Sequence, residues 1–183
     1  MSEEIKAVEE PILKLNFGSG QIKVDGYIGV DLYAPEADLK VDLFSFPLPW
    51  KDGEVTEILA SHFLEHVPAK LRWPFFDECH RILKPGGLMR IFVPSFKSER
   101  AFGDMTHEWP PVVPMSFYYL QKAWRETNKL NHGAYALKCD FDHQCGPAGI
   151  VGSFAGRSHE AQVFATTHYW ESFQDVWATL TKR

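Results

Sequence analysis

Cysteine is scarce and odd in number: the 183 residues hold only Cys79, Cys139 and Cys145, at no repeated spacing. Such a set excludes a secreted disulfide framework and fits a reducing cytosol. Long hydrophobic runs are missing as well, so no segment has the length and apolarity of a membrane span. Residues 1–10 carry Glu3, Glu4, Glu9 and Glu10 without an apolar core, which is the wrong chemistry for a signal peptide. A soluble, cytoplasmic protein is therefore expected. Positive charge is also in short supply, 19 Lys and Arg against 24 Asp and Glu for a net −5. At long range that field repels a polyanion, so a broad nucleic-acid footprint is disfavoured, although a local basic cleft stays open as an option. There is no internal repeat and no low-complexity tract.

What is present is an ordinary globular composition, 45% apolar and 23% charged, in a chain long enough to bury roughly 70% of its unfolded surface as one domain. Residues 11–17 read as a short apolar strand running into Gly18-Ser19-Gly20, and residues 27–31 as a second strand ending in Asp31. Only residues 21–26 separate the two. A parallel crossover normally needs a dozen or more residues, so the first helix is shortened or absent. Residues 39–43 suggest a brief edge strand, 46–50 a Pro-rich connector, and 55–60 a buried strand.

Pro74 suits the first position of a helix whose face carries Phe75, Phe76, Cys79, Ile82 and Leu83, with a stop at Pro85-Gly86-Gly87 and a further strand over 88–93. This order predicts an α/β fold with a largely parallel sheet and helices on both faces. Residues 97–145 are expected to form a lid or substrate segment: 94–114 an aromatic-rich surface excursion, then a short helix on Phe117, Leu120, Gln121 and Trp124, then a late strand over 135–141. Ser158 suggests the N-cap of a closing helix over 158–183, on the recurrence of Val163, Phe164, Thr167, Trp170, Phe173, Val176, Trp177 and Leu180.

Strand, glycine-rich turn and following acid form the general grammar of nucleoside binding at the carboxyl end of a parallel sheet. A dinucleotide site would place a third glycine where Lys23 stands and hold pyrophosphate on a helix N-terminus. A nucleoside ligand without phosphates removes both requirements. Read locally, Gly18 and Gly20 could be only a tight turn and Asp31 a solvated strand end; their company decides otherwise.

That company is the ordered set Leu15-Asn16-Phe17-Gly18-Ser19-Gly20, Gly29-Val30-Asp31-Leu32, Pro47-Leu48-Pro49-Trp50, Ala60-Ser61-His62-Phe63-Leu64-Glu65-His66 and Arg81-Ile82-Leu83-Lys84-Pro85-Gly86-Gly87. It resembles the class I S-adenosylmethionine-dependent methyltransferases, in particular small forms with a reduced first helix, as among phage and bacterial members. The resemblance covers residues 12–96 and implies a trimmed Rossmann-like domain with S-adenosylmethionine as cofactor. It implies that Gly18, Ser19 and Gly20 line the methionine moiety, that Asp31 accepts the ribose hydroxyls, that Asp42 and Leu43 frame the adenine, and that Leu32 also belongs to the cofactor site. Ser61 and His62 would then face the sulfonium methyl.

His62, His66 and His107 are the candidate bases for a protonated nucleophile. The acceptor is open, because neither an Asn/Asp-Pro-Pro-Tyr segment nor a Pro-Cys nucleophile is present. A small molecule or a sugar-like hydroxyl or amine is favoured over nucleic acid or protein. A non-catalytic S-adenosylmethionine-binding or assembly protein would share every cofactor motif.

Two metal readings compete. His62-Phe63-Leu64-Glu65-His66 spells H-x-x-E-H, the inverted zinc-hydrolase signature, but Pro68 cuts any helix short. Cys139, Asp142, His143 and Cys145 form a second cluster, weighed against an ordinary strand end, with strand alternation setting Asp142 on the face opposite the cysteines. No bound metal is expected from either.

Overall fold

The computed structural model describes residues 12–130, 132 and 137–183. Pro11, and residues 135 and 136 of the expected late strand, lie outside them. Six strands form one sheet in the order β2-β1-β3-β4-β6-β5. The parallel half comprises β1 (Lys14–Phe17), β2 (Ile28–Val30), β3 (Val55–Ser61) and β4 (Leu83–Pro94), and the antiparallel half adds β5 (Phe141–Ile150) and β6 (Phe173–Lys182). This is a Rossmann-like α/β fold, with a largely parallel sheet flanked by helices.

No helix forms between β1 and β2. Gly18 and Ser19 instead turn back so that both their N–H groups reach the Val30 carbonyl, which closes a parallel pair over a short connection. The edge strand expected over 39–43 shrinks to a single parallel bridge, Val30 to Leu39.

Helix α1 (Ala69–Ile82) buries Phe75, Phe76, Cys79 and Ile82 on one face, which join Leu15, Phe17, Val55, Ile58, Met89 and Ile91 of the sheet in one core. Pro74 is inside this helix and not at its first position. Leu71, Phe75 and Cys79 continue the apolar stripe upstream at four-residue spacing, so the loss of one N–H is outweighed by packing. From the far end of α1, Arg81 donates to the carbonyls of Leu48 and Trp50 and to the carboxylates of Glu78 and Asp52, which binds the Pro-rich connector to the core. Those partners, Glu78 first, hold its guanidinium pKa above the ordinary value.

The second half departs from expectation in three places. The short helix of 117–124 is two helices, α3 (Pro114–Tyr118) and α4 (Lys122–Thr127), following a four-residue turn of helix, α2 (Arg100–Gly103). The late strand is β5, beginning where 135–141 was expected to end. The closing helix is corrected most: Ser158 does cap a helix, accepting from the Ala161 N–H, but after α5 (Gly152–Ala155) that helix, α6, covers only His159–His168, and Phe173–Lys182 is strand β6. Val176, Ala178 and Leu180 alternate inward there, a period of two that the wider three- and four-residue spacing conceals. Among the described residues no helix is long and apolar enough to cross a membrane.

Candidate active site

The carboxyl ends of the parallel strands open into a cleft of about 390 Å³ lined by Gly18, Asp31, Leu32, Tyr33, Val41, Asp42, Leu43, Phe44, His62, Phe63 and His66. Glycine is required at position 18 on two counts. Its φ is +64°, and a Cβ there would sit 2.3 Å from Cδ2 of Phe63, so the backbone itself forms the wall. Phe63 in turn stacks on Phe44, with centroids 5.9 Å apart.

Asp31 ends β2 with its carboxylate held by three main-chain donors, Tyr33 N at 2.8 Å and Ala34 N at 2.9 Å on Oδ1 and Gly20 N at 3.1 Å on Oδ2. Partial burial by itself would raise its pKa; the N–H groups of Ala34, Tyr33 and Gly20 outweigh that and hold the carboxyl below the usual range. It stays ionised and keeps acceptor capacity toward the cleft.

His62 follows β3 with φ +53°, a conformation costing of order 1–3 kcal/mol in a non-glycine residue and typical of ligand clamps. Its N–H is anchored on the Phe92 carbonyl at 2.8 Å. Its Nδ1 is 3.3 Å from Glu65 Oε1, and its Nε2 is 4.0 Å from Asp175 Oδ1. The Glu65 hydrogen bond, opposed by burial and aided by the charges of Glu65 and Asp175, raises the imidazole pKa.

Beyond His62 and His66 lies a second cavity, of about 350 Å³, whose wall adds Glu65, Pro94, Arg100, Gly103, Asp104 and His107. The aromatic excursion thus flanks the far side of the histidines and contributes nothing to the lining of the first cleft. Arg72 pins it there, donating to the carbonyls of Val67, Glu108 and Pro110.

The structure therefore gathers Gly18, Asp31, Leu32, Asp42, Leu43, His62 and His66 around one cleft and puts His107 in the adjoining one. Ser19, Gly20 and Ser61 do not line it. The Ser19 hydroxyl is buried against Gly29, Gly20 serves as a donor to Asp31, and Ser61 is exposed at the end of β3. Sequence reasoning missed Tyr33, Val41, Phe44 and Phe63. Phe63 carried a signal, since an aromatic beside a motif glycine is the natural cover for bare backbone.

The inverted zinc-hydrolase geometry is absent. Leu64–His66 is a single 3-10 turn and His62 stands outside it, so the two histidines do not share a helix face. Nor do Cys139, His143 and Cys145 gather: among the described residues the one group with metal-ligand proximity is Glu65, His66 and His107. Cys139 is wholly buried ahead of β5, and burial, with Asp77 nearby, pushes its thiol pKa well up.

The family model described as a methyltransferase domain matches residues 30–91, a span holding Asp31, Asp42 and the His62–His66 turn. A crystal structure of an S-adenosylmethionine-dependent methyltransferase from Archaeoglobus fulgidus superposes with a TM-score of 0.63 at 17% identity, over 95% of this chain and 87% of that one. The chain has the class I methyltransferase fold. The YcgJ protein of Bacillus subtilis (TM-score 0.53, 15% identity, 95% and 93% covered) and a methyltransferase from Methanosarcina mazei (0.53, 13%, 96% and 94%) share it. No curated protein matches the chain. On this fold the cleft described above occupies the strand-end position at which open α/β sheets bind their ligands.

Proposed function

We propose that the protein is an S-adenosylmethionine-dependent methyltransferase. The observation that carries this reading is Asp31: an ionised carboxylate, aimed by three N–H groups, at the end of a strand paired beside the bare backbone of Gly18. The cleft suits an adenosyl ligand without phosphates, because between β1 and β2 there is no helix whose N-terminus could hold a pyrophosphate. Asp31 would take the ribose hydroxyls, Leu32, Asp42 and Leu43 the adenine, and Gly18 the methionine end, with Ser19 and Gly20 supporting that turn. The bound cofactor supplies an electrophilic methyl group on sulfur.

What the chain supplies is position, which can contribute roughly 7–11 kcal/mol to a displacement. His62, strained and tied to Glu65, borders both cavities and separates donor side from acceptor side. A hydroxyl or amine acceptor of small-molecule or sugar-like size fits the second cavity of about 350 Å³, where His66 and His107 would take its proton. The net −5 charge favours such an acceptor over nucleic acid. Three free cysteines, two of them buried, agree with a cytoplasmic setting.

The test is thermal: at 100-fold saturation S-adenosylhomocysteine should raise Tm by on the order of 5–10 °C and NAD should not. A shift with NAD alone overturns the cofactor. If the cofactor binds and S-adenosylhomocysteine never accumulates against pooled metabolites, nucleic acids and lysate, the domain is a binding module without turnover.

A further inference from the structure

We propose that Glu65, His66 and His107 form a binding site for one first-row divalent transition-metal ion. One donor atom from each of the three lies within 4.8 Å of the others, at the wall of the second cavity. Proximity alone would say little; the hydrogen bonds around the group say more. Thr106 Oγ1 is 2.7 Å from Asp104 Oδ1 and 3.0 Å from His66 Nδ1. The carboxylate can only accept, so the hydroxyl proton belongs to it and the proton between Thr106 and His66 sits on Nδ1. The Thr106 carbonyl, 3.4 Å from the same nitrogen, points the same way. His107 Nδ1 is 3.2 Å from the Ala101 carbonyl, which fixes its proton on Nδ1 as well. In the neutral tautomer so fixed, each ring has its lone pair on Nε2.

Glu65 completes the set. It is 5% exposed, and its Oε2 has no hydrogen-bond partner, while Oε1 is held by His62 at 3.3 Å. A buried carboxylate oxygen without a hydrogen-bond partner thus sits in one group with two imidazoles whose Nδ1–H groups already have acceptors, an arrangement that a cation satisfies. Two histidines and one carboxylate suit iron, cobalt, nickel or zinc and leave coordination positions open. Each ligand already has the outer partner that metal-binding side chains use for orientation: His62 for Glu65, Thr106 and then Asp104 for His66, the Ala101 carbonyl for His107. Asp104 Oδ2, 3.8 Å from His107 Nε2, offers a further oxygen. Of the two nearby cations, Arg100 is engaged by Asp175 at 3.0 Å, and Arg72, whose charge reaches Glu65, spends its donors on the carbonyls of Val67, Glu108 and Pro110.

Bonds of about 2.0–2.2 Å require the donors to draw closer. His107 can supply that movement from an excursion whose tip, Met105, is 98% exposed. The open positions would face the acceptor cavity and take an anionic oxygen or sulfur; this role rests on the methyl-transfer reading, but metal binding does not. This set shares Glu65 and His66 with the H-x-x-E-H sequence pattern but has His107 in place of His62.

The test is a Co²⁺ titration of EDTA-stripped, cofactor-free protein, followed by d–d absorption and by calorimetry with Zn²⁺. One equivalent should bind at micromolar concentration. His107→Ala and Glu65→Gln should each weaken it at least tenfold, and Thr106→Val by roughly tenfold through the outer partner. Thermal melting of each variant without metal identifies any that fails to fold, in which case the Co²⁺ titration of the unaltered protein and the folded variants decide. Absence of Co²⁺ bands at 100-fold excess, or an unchanged titration in folded His107→Ala, overturns the site. Because no cofactor is present, this result is independent of whether the protein transfers methyl groups.

Discussion

The parallel half of the sheet and the antiparallel half carry different kinds of demand. In the first, single residues are fixed by geometry that nothing else satisfies: Gly18 by its φ of +64° and the ring of Phe63, Asp31 by three N–H groups. In the second, from Phe96 to Lys182, side chains mostly fill space or clamp segments together. Arg125 shows this best: it is 2% exposed and, among the described residues, forms no ion pair, donating instead to the carbonyls of Tyr119, Leu137 and Cys139. The candidate site is thus written into turns, and the support is written into packing.

The sharpest way to break this contrast is Gly18→Ala, which adds a methyl in a left-handed position against Phe63. It should cost about 3 kcal/mol in urea unfolding and abolish S-adenosylhomocysteine binding, combining overpacking with backbone strain. A loss below about 1 kcal/mol would show that the turn is slack. Next, Arg125→Met should cost about 2 kcal/mol by leaving buried carbonyls without donors, yet leave cofactor affinity unchanged by calorimetry. If affinity falls with it, the halves are coupled. Asp31→Ala should weaken cofactor binding at least tenfold, as expected for charge-assisted bonds of about 1.5–3 kcal/mol, without loss of fold. Unchanged affinity would remove Asp31 from the site.

The smallest effect sits on the seam. His62 belongs to the parallel half but reaches toward Asp175 of β6. Its pKa is raised in the folded state, chiefly by Glu65, so the stability it contributes is complete below its unfolded pKa of about 6.5 and is lost as pH rises through the folded value. The difference in Tm between the protein and His62→Ala should therefore narrow from pH 5.5 to pH 9. A constant difference would mean that the imidazole acts by packing alone.

The same contrast explains what could be read from the residues alone. Gly18, Asp31, His62 and the helix face of Phe75, Phe76, Cys79 and Ile82 were legible because each answers to local sterics or to one period. Strand β6 was not. Residues 163–180 keep a helical recurrence across a break that has no glycine or proline: the chain reverses at Glu171, with φ +53°, and the reason is tertiary, since its carboxylate accepts from Ser98 Oγ and Glu99 N. Phe63 and Phe44 escaped notice because stacking across 19 positions leaves no spacing to see. His66 and His107 were named separately as bases, but nothing in the sequence showed that the excursion would carry one to the other.

Strand β6 follows β5 in the chain yet lies inside it in the sheet, bonded to β4 on one side and β5 on the other. During synthesis β5 can find no place in the sheet until β6 has left the ribosome. For that interval the inner edge of β4, with Met89, Ile91 and Val93 on its apolar face, is an open template for another strand. A nascent chain stopped anywhere between Ile150 and Phe173 would thus present its parallel half folded and its longest strand unguarded, so the arrival of β6 governs whether the chain stays solitary.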